Sequence, residues 1–71
     1  MDDQGTILWR LAKDGHTHAC SVRLAPDAIE VDMLNDNALI STRAFATGDE
    51  ALAWAERRRL RREEQGWTEA V

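Results

Sequence analysis

Apolar residues alternate with polar ones along the first two-thirds of the chain, and turn-forming residues interrupt the alternation three times. Asp14-Gly15 is a two-residue hairpin signal, because both residue types accept positive φ. Pro26-Asp27 suits the centre of a type I turn, and Asn35-Asp36-Asn37 is a third turn-closing cluster. The intervening runs, about 6–13, 16–25, 28–35 and 38–45, have strand length. They predict a four-stranded antiparallel meander in the order 1-2-3-4.

If each turn is a tight hairpin, the registers can be compared. The first pairs Ile7 with Val22, Trp9 with Cys20 and Leu11 with His18. The second pairs Leu24 with Ile29, Val22 with Val31 and Cys20 with Met33. The third pairs Met33 with Ile40, Val31 with Thr42 and Ile29 with Ala44. Alternate side chains share a face, so these residues fall on one inner face of one sheet. The opposite face then carries a row of Arg23, Glu30 and Arg43 and a second row of Ser21, Asp32 and Ser41. Beside them lies a patch of Ala19, Leu34 and Leu39 with Arg10 and Leu8.

After Phe45 the period changes to that of a helix, expected from Gly48 to about Glu64. Thr47 is placed to cap it and Glu50 to reach back to the cap. Asp49 and Glu50 begin the helix and five arginines occupy its second half, an order the helix dipole favours. Gly66 suits the C′ position, with Trp67 folding back on the last turn. Ala51, Leu52 and Ala55 form a narrow apolar stripe with Trp54 at its edge. Beyond them the stripe meets Arg58, Arg59 and Arg62, so the helix either overhangs the sheet or covers apolar surface with arginine stems. The expected fold is α+β: a single small domain spanning residues 1–71, ordered from about 5 to 67 and frayed at both termini, with one C-terminal helix across the inner face.

Composition narrows the functional classes. A chain of 71 residues is close to the size at which a staple or partner aids stability, and the single Cys20 allows no internal disulfide. Met1-Asp2-Asp3-Gln4-Gly5 lacks the basic start and apolar run of a secretory signal, and no apolar run is long enough to span a membrane. With a lone thiol, these features predict a cytoplasmic location and no membrane partner. The net charge of −4 divides into −5 over residues 1–50 and +1 over residues 51–71. That acidity argues against a general nucleic-acid binder, although the arginine run keeps the idea open.

Three constellations carry candidate chemistry. His16, His18 and Cys20 alternate along one strand, a spacing that can present two imidazoles and a thiolate to a metal; the competing expectation is a buried thiol with two edge histidines. Arg57, Arg58, Arg59, Arg61 and Arg62 suggest a phosphate-contacting helix, a solvated helix end with Arg59 paired to Glu63, or a surface for an acidic protein. Leu8, Leu34 and Leu39 form an apolar cluster on a sheet face, a candidate interface for a homodimer. No glycine-rich phosphate loop or nucleophile–base pair is present, so neither catalysis nor a cofactor is expected.

The stretch Phe45-Ala46-Thr47-Gly48-Asp49-Glu50-Ala51-Leu52-Ala53-Trp54-Ala55 resembles the sheet-to-helix junction of the arm-binding N-terminal domains of phage integrases. The resemblance implies a short antiparallel sheet followed by a helix, with the sheet placed in a DNA major groove. The layout is similar also to short bacterial ββββα proteins, a resemblance that implies no activity. The leading expectation is a non-catalytic interaction module, self-associating or binding another protein through the outer sheet face and the arginine helix. The alternatives are an accessory nucleic-acid binder using Arg57, Arg58, Arg61 and Arg62, and a small metal-binding domain.

Overall fold

Two of the three turns adopt the left-handed backbone that their residues permit. In the computed structural model, which describes residues 5–70, Asp14 and Gly15 have φ of 53° and 83°, and Asp36 and Asn37 have 51° and 70°. Such positive-φ pairs match the twist of the strands they join. The strands follow directly: β1 (Thr6–Lys13), β2 (His16–Ala25), β3 (Ala28–Asn35) and β4 (Ala38–Phe45). The helix α1 (Gly48–Glu64) comes next, then a short β5 (Thr68–Glu69). All strands lie in one antiparallel sheet of order β4-β3-β2-β1-β5, with α1 the single described helix.

The β2–β3 register is the expected one throughout, with Leu24 opposite Ile29, Val22 opposite Val31 and Cys20 opposite Met33. The other two hairpins keep the expected register near their turns and then slip by one residue. Trp9 faces Cys20 and Leu11 faces His18, but Ile7 faces Ser21 rather than Val22, leaving Leu8 as the extra residue of a bulge. Likewise Leu34 faces Leu39, but Met33 faces Ser41, Val31 faces Arg43 and Ile29 faces Phe45, with Ile40 the extra residue.

The slips exchange faces. Phe45 turns inward to pack on the core and meets Trp54 at 5.6 Å between ring centroids. Arg43 leaves the expected outer row for the helix side, and Thr42 replaces Ser41 beside Asp32, donating to its Oδ1 at 2.7 Å. Arg23 keeps its outer position, bonded to Glu30 at 2.7 Å and to Asp32 at 2.8 Å. Ile40, expected beneath the helix, is instead 53% exposed.

The core cluster is Cys20, Val31 and Met33 from the sheet with Ala51 and Ala55 from the helix. Two alanines in the contact stripe let α1 lie close to the strands. Trp9 adds a cross-link, its indole Nε1 donating to the Ala55 carbonyl at 3.1 Å. Thr47 accepts from the Glu50 amide at 3.2 Å, as an N-cap does; among the described residues the Glu50 carboxylate makes no bond back. At the other end Gly66, with φ of 100°, closes a Schellman motif. Its amide donates to Glu63 and that of Trp67 to Arg62, each at 3.1 Å.

The expectation of a frayed C-terminus is corrected. Thr68 and Glu69 pair with Ala12 and Leu11, and the Ala70 amide donates to the Arg10 carbonyl at 2.8 Å. Lys13 Nζ fastens the turn by donating to the Gln65 carbonyl at 2.6 Å. The Schellman turn aims the chain back along β1, whose outer edge supplies unpaired backbone groups. The expectation of fraying at residues 1–4 and 71 lies outside the described residues. No described helix is long and apolar enough to cross a membrane.

Candidate functional site

The helical arginines divide by side. Arg59 lies toward β1, where it donates to both Glu56 and Glu63, the latter at 2.7 Å. The Glu56 hydrogen bond, with the charges of both carboxylates, raises the Arg59 pKa further and neutralises its field; the same bond holds Glu56 below its usual value. Leu8, Trp9, Leu52, Ala55, Glu56 and Arg59 line a groove of about 340 Å³ on this side. Leu8 therefore stands on the helix side of the sheet. This corrects its placement with Leu34 and Leu39: in a bulge both extra residues turn toward one face.

The other arginines meet aromatic rings or solvent. The Arg58 guanidinium lies 5.2 Å from the Trp54 ring, and Arg43 lies 5.5 Å from both Trp54 and Phe45. Arg62 lies 5.9 Å from Trp67 and donates to Gln65 Oε1 at 3.3 Å. A guanidinium over an indole face gains electrostatically from the ring quadrupole while its charge stays available. Arg57 and Arg61 point to solvent. Among the described residues, Arg43, Arg57, Arg58, Arg61 and Arg62 form no ion pair with a carboxylate. Of the five expected interaction arginines, Arg58 shares the Trp54 ring with Arg43, Arg57 and Arg61 are exposed, Arg62 lies apart on Trp67 near His18, and Arg59 is diverted into an internal ion-pair network.

Sequence reasoning missed Arg43 and Trp54 as members of this region. The available signal was Leu39-Ile40, two adjacent apolar residues that break the strand period where the bulge occurs. A second shallow groove of about 400 Å³, lined by Ala44, Phe45, Ala46, Glu50, Ala53 and Arg57, lies beside the start of the helix.

On the outer face Leu34 and Leu39 are directly paired, with Leu39 60% exposed, and Ala19 sits between Leu34 and Arg10. The apolar patch is smaller than expected without Leu8. Asp32 feels burial, which raises its pKa, but bonds from Arg23 and Thr42 and the Arg23 charge outweigh it and hold the carboxyl low.

His16, His18 and Cys20 occupy three different environments. His16 Nδ1 sits 3.0 Å from the exposed Asp36 carboxylate. His18 is buried between Trp9 and Trp67, with centroid distances of 5.6 and 5.8 Å, so the expectation of an edge histidine is corrected. Trp67, carried back by the Schellman turn, covers it. His18 Nδ1 lies 2.8 Å from Asn35 Oδ1, while Nε2 is buried without a partner among the described residues. Cys20 is wholly buried, and desolvation pushes its thiol up to about 11, which disfavours the thiolate that metals bind. Among the described residues no group of three His, Cys, Asp or Glu side chains is arranged to hold a metal.

Searches against known protein families, curated proteins and solved structures return no match for this chain.

Proposed function

We propose that the chain is a non-catalytic protein-interaction module that holds an acidic surface of a partner protein through Arg43, Arg57, Arg58, Arg61 and Arg62. The observation that carries this reading is the separation of the arginines. Arg23 and Arg59 are matched by carboxylates, whereas Arg43, Arg57, Arg58, Arg61 and Arg62 are not. Three of the five rest on aromatic rings, which restricts their rotamers before any partner arrives. Less side-chain freedom is then lost on binding.

The same cations could meet phosphates, but the rest of the surface favours a protein. The net charge is −4, and the outer sheet face has its Arg23 already engaged by Glu30 and Asp32. That is the face the integrase resemblance would set against DNA, where free basic groups are needed.

The test is a fluorescence titration, since Trp54 and Trp67 report on the arginines stacked against them. An oligoglutamate peptide and a random duplex DNA are compared at low and moderate salt, with light scattering to follow mass. The reading expects oligoglutamate to shift the tryptophan emission, with affinity reduced by salt and by Arg58→Gln or Arg62→Gln. Tighter binding of the duplex would transfer the site to nucleic acid. Silence with both probes would remove it. A mass that doubles with concentration, and falls back on Arg58→Gln, would make a second copy the partner.

A further inference from the structure

The sheet closes one of its edges and leaves the other open. On the β1 side the chain supplies its own cover, with β5 paired along Ala12 and Leu11. On the far side β4 is terminal, and no described strand lies beyond it. Residues Ala38–Ala44 are all exposed, Leu39 and Ile40 at 60% and 53%. Proteins usually blunt such edges with proline, lysine, inward charge or a covering segment. β4 has only the bulge at Ile40 and the guanidinium of Arg43.

We propose that the β4 edge docks an extended segment of a partner protein as an additional strand, with acidic and apolar residues alternating along that segment. The proposal rests on the reading of the arginine surface as a site for an acidic protein, and it specifies the form that the acid takes. A strand added beside β4 lies about 4.8 Å away and sends alternate side chains to opposite faces. On the helix side they enter the region of Arg43 and Arg58, whose guanidinium groups flank Trp54 without a carboxylate partner. On the outer side they run alongside Leu39, itself paired with Leu34. One face therefore selects aspartate or glutamate and the other selects an aliphatic residue. A second copy fits less well, because its own β4 would bring another Arg43 into this positive region, a like-charge contact.

The experiment adds three capped peptides to the intact chain: an alternating Glu-Val octapeptide, an oligoglutamate of four residues carrying the same number of carboxylates, and an alternating Lys-Val octapeptide. Amide hydrogen exchange and backbone NMR shifts are followed residue by residue. The expected result is that Glu-Val binds roughly tenfold tighter than oligoglutamate and slows exchange within residues 38–44 by at least about tenfold, while Lys-Val does neither. Arg43→Gln should weaken Glu-Val binding by roughly tenfold. If that variant folds poorly, Arg58→Gln provides the same comparison. Binding of both acidic peptides without slowed exchange in β4 would overturn the edge proposal and leave the arginine reading intact. Loss of all acidic-peptide binding would overturn both. Protection of β4 that grows with protein concentration alone would overturn the choice of partner in favour of a second copy.

Discussion

His18 packs between two indoles, with Nδ1 bonded to Asn35 and Nε2 buried and unpartnered. Burial is the largest influence on its pKa and lowers it; the Asn35 bond acts in the opposite direction, and Arg62 and Arg58 reinforce burial. A histidine with a depressed folded pKa leaves the unfolded chain binding more protons in acid. Stability is therefore complete above the usual value near 6.5 and is lost as pH falls from there through the folded value. One such group gives a slope of at most about 1.4 kcal/mol per pH unit. Urea midpoints should fall between pH 7 and pH 5, and His18→Leu should flatten that dependence by removing both the proton site and the orphaned nitrogen. Trp67→Ala should also flatten it, by letting water reach the imidazole, but at lower overall stability. Carboxylates act in a separate, more acidic window. Asp32 is held low as described, and Asp36 is held low by the Thr17 amide and then by His16, so their contributions are lost only below the normal carboxylate range. The alternation in the sequence was enough to put Cys20 in the core. It did not reveal that His18 would be enclosed, because its cover comes from Trp67, forty-nine residues away through a glycine-dependent reversal.

At the scale of elements, all four long strands, the helix and its two ends were legible, because turn chemistry and capping are local. What was not legible were the two places where a strand gains a residue. Leu8-Trp9 and Leu39-Ile40 are each adjacent apolar pairs, and either member could have faced inward. The consequence in β4 is large: Phe45 reaches the core and Arg43 reaches Trp54. The bulge can be tested by deletion. Removing Ile40 restores an even ladder while leaving Ser41, Arg43 and Phe45 on their present faces, and it should change stability by about 1 kcal/mol or less in urea titration. The helix ends make simpler predictions. Thr47→Ala should cost about 1 kcal/mol, with Thr47→Ser retaining the cap. Gly66→Ala should cost about 1 kcal/mol as well, because of backbone φ rather than crowding. A Cβ at Gly66 would meet the Lys13 side chain at an ordinary 3.5 Å, whereas one at Gly5 would press to 2.4 Å from the Val22 carbonyl.

Taken whole, the molecule rests on little apolar volume. The buried apolar residues among those described are Leu11, Ala19, Cys20, Val31, Met33, Ala51 and Ala55, of which three are alanine. A core of this scale in so short a chain supplies about 3–5 kcal/mol. Met33, 2% exposed and central to the cluster, is the largest apolar side chain in it. Cutting it to alanine removes about 2–5 kcal/mol, the same magnitude as the entire stability. Met33→Ala should therefore be substantially unfolded at room temperature by circular dichroism, and Met33→Leu, which keeps the volume, should remain folded. The uncovered β4 edge then has an energetic meaning. A ligand that binds only the folded state adds about 2.7 kcal/mol when present at a hundred times its dissociation constant. If the alternating Glu-Val peptide completes the sheet, saturating amounts should return helical signal to Met33→Ala and raise the melting temperature of the parent chain, with Lys-Val producing neither effect. Unchanged ellipticity at saturation would mean that the peptide does not distinguish folded from unfolded chain, as binding to the arginines of an unfolded segment would also give.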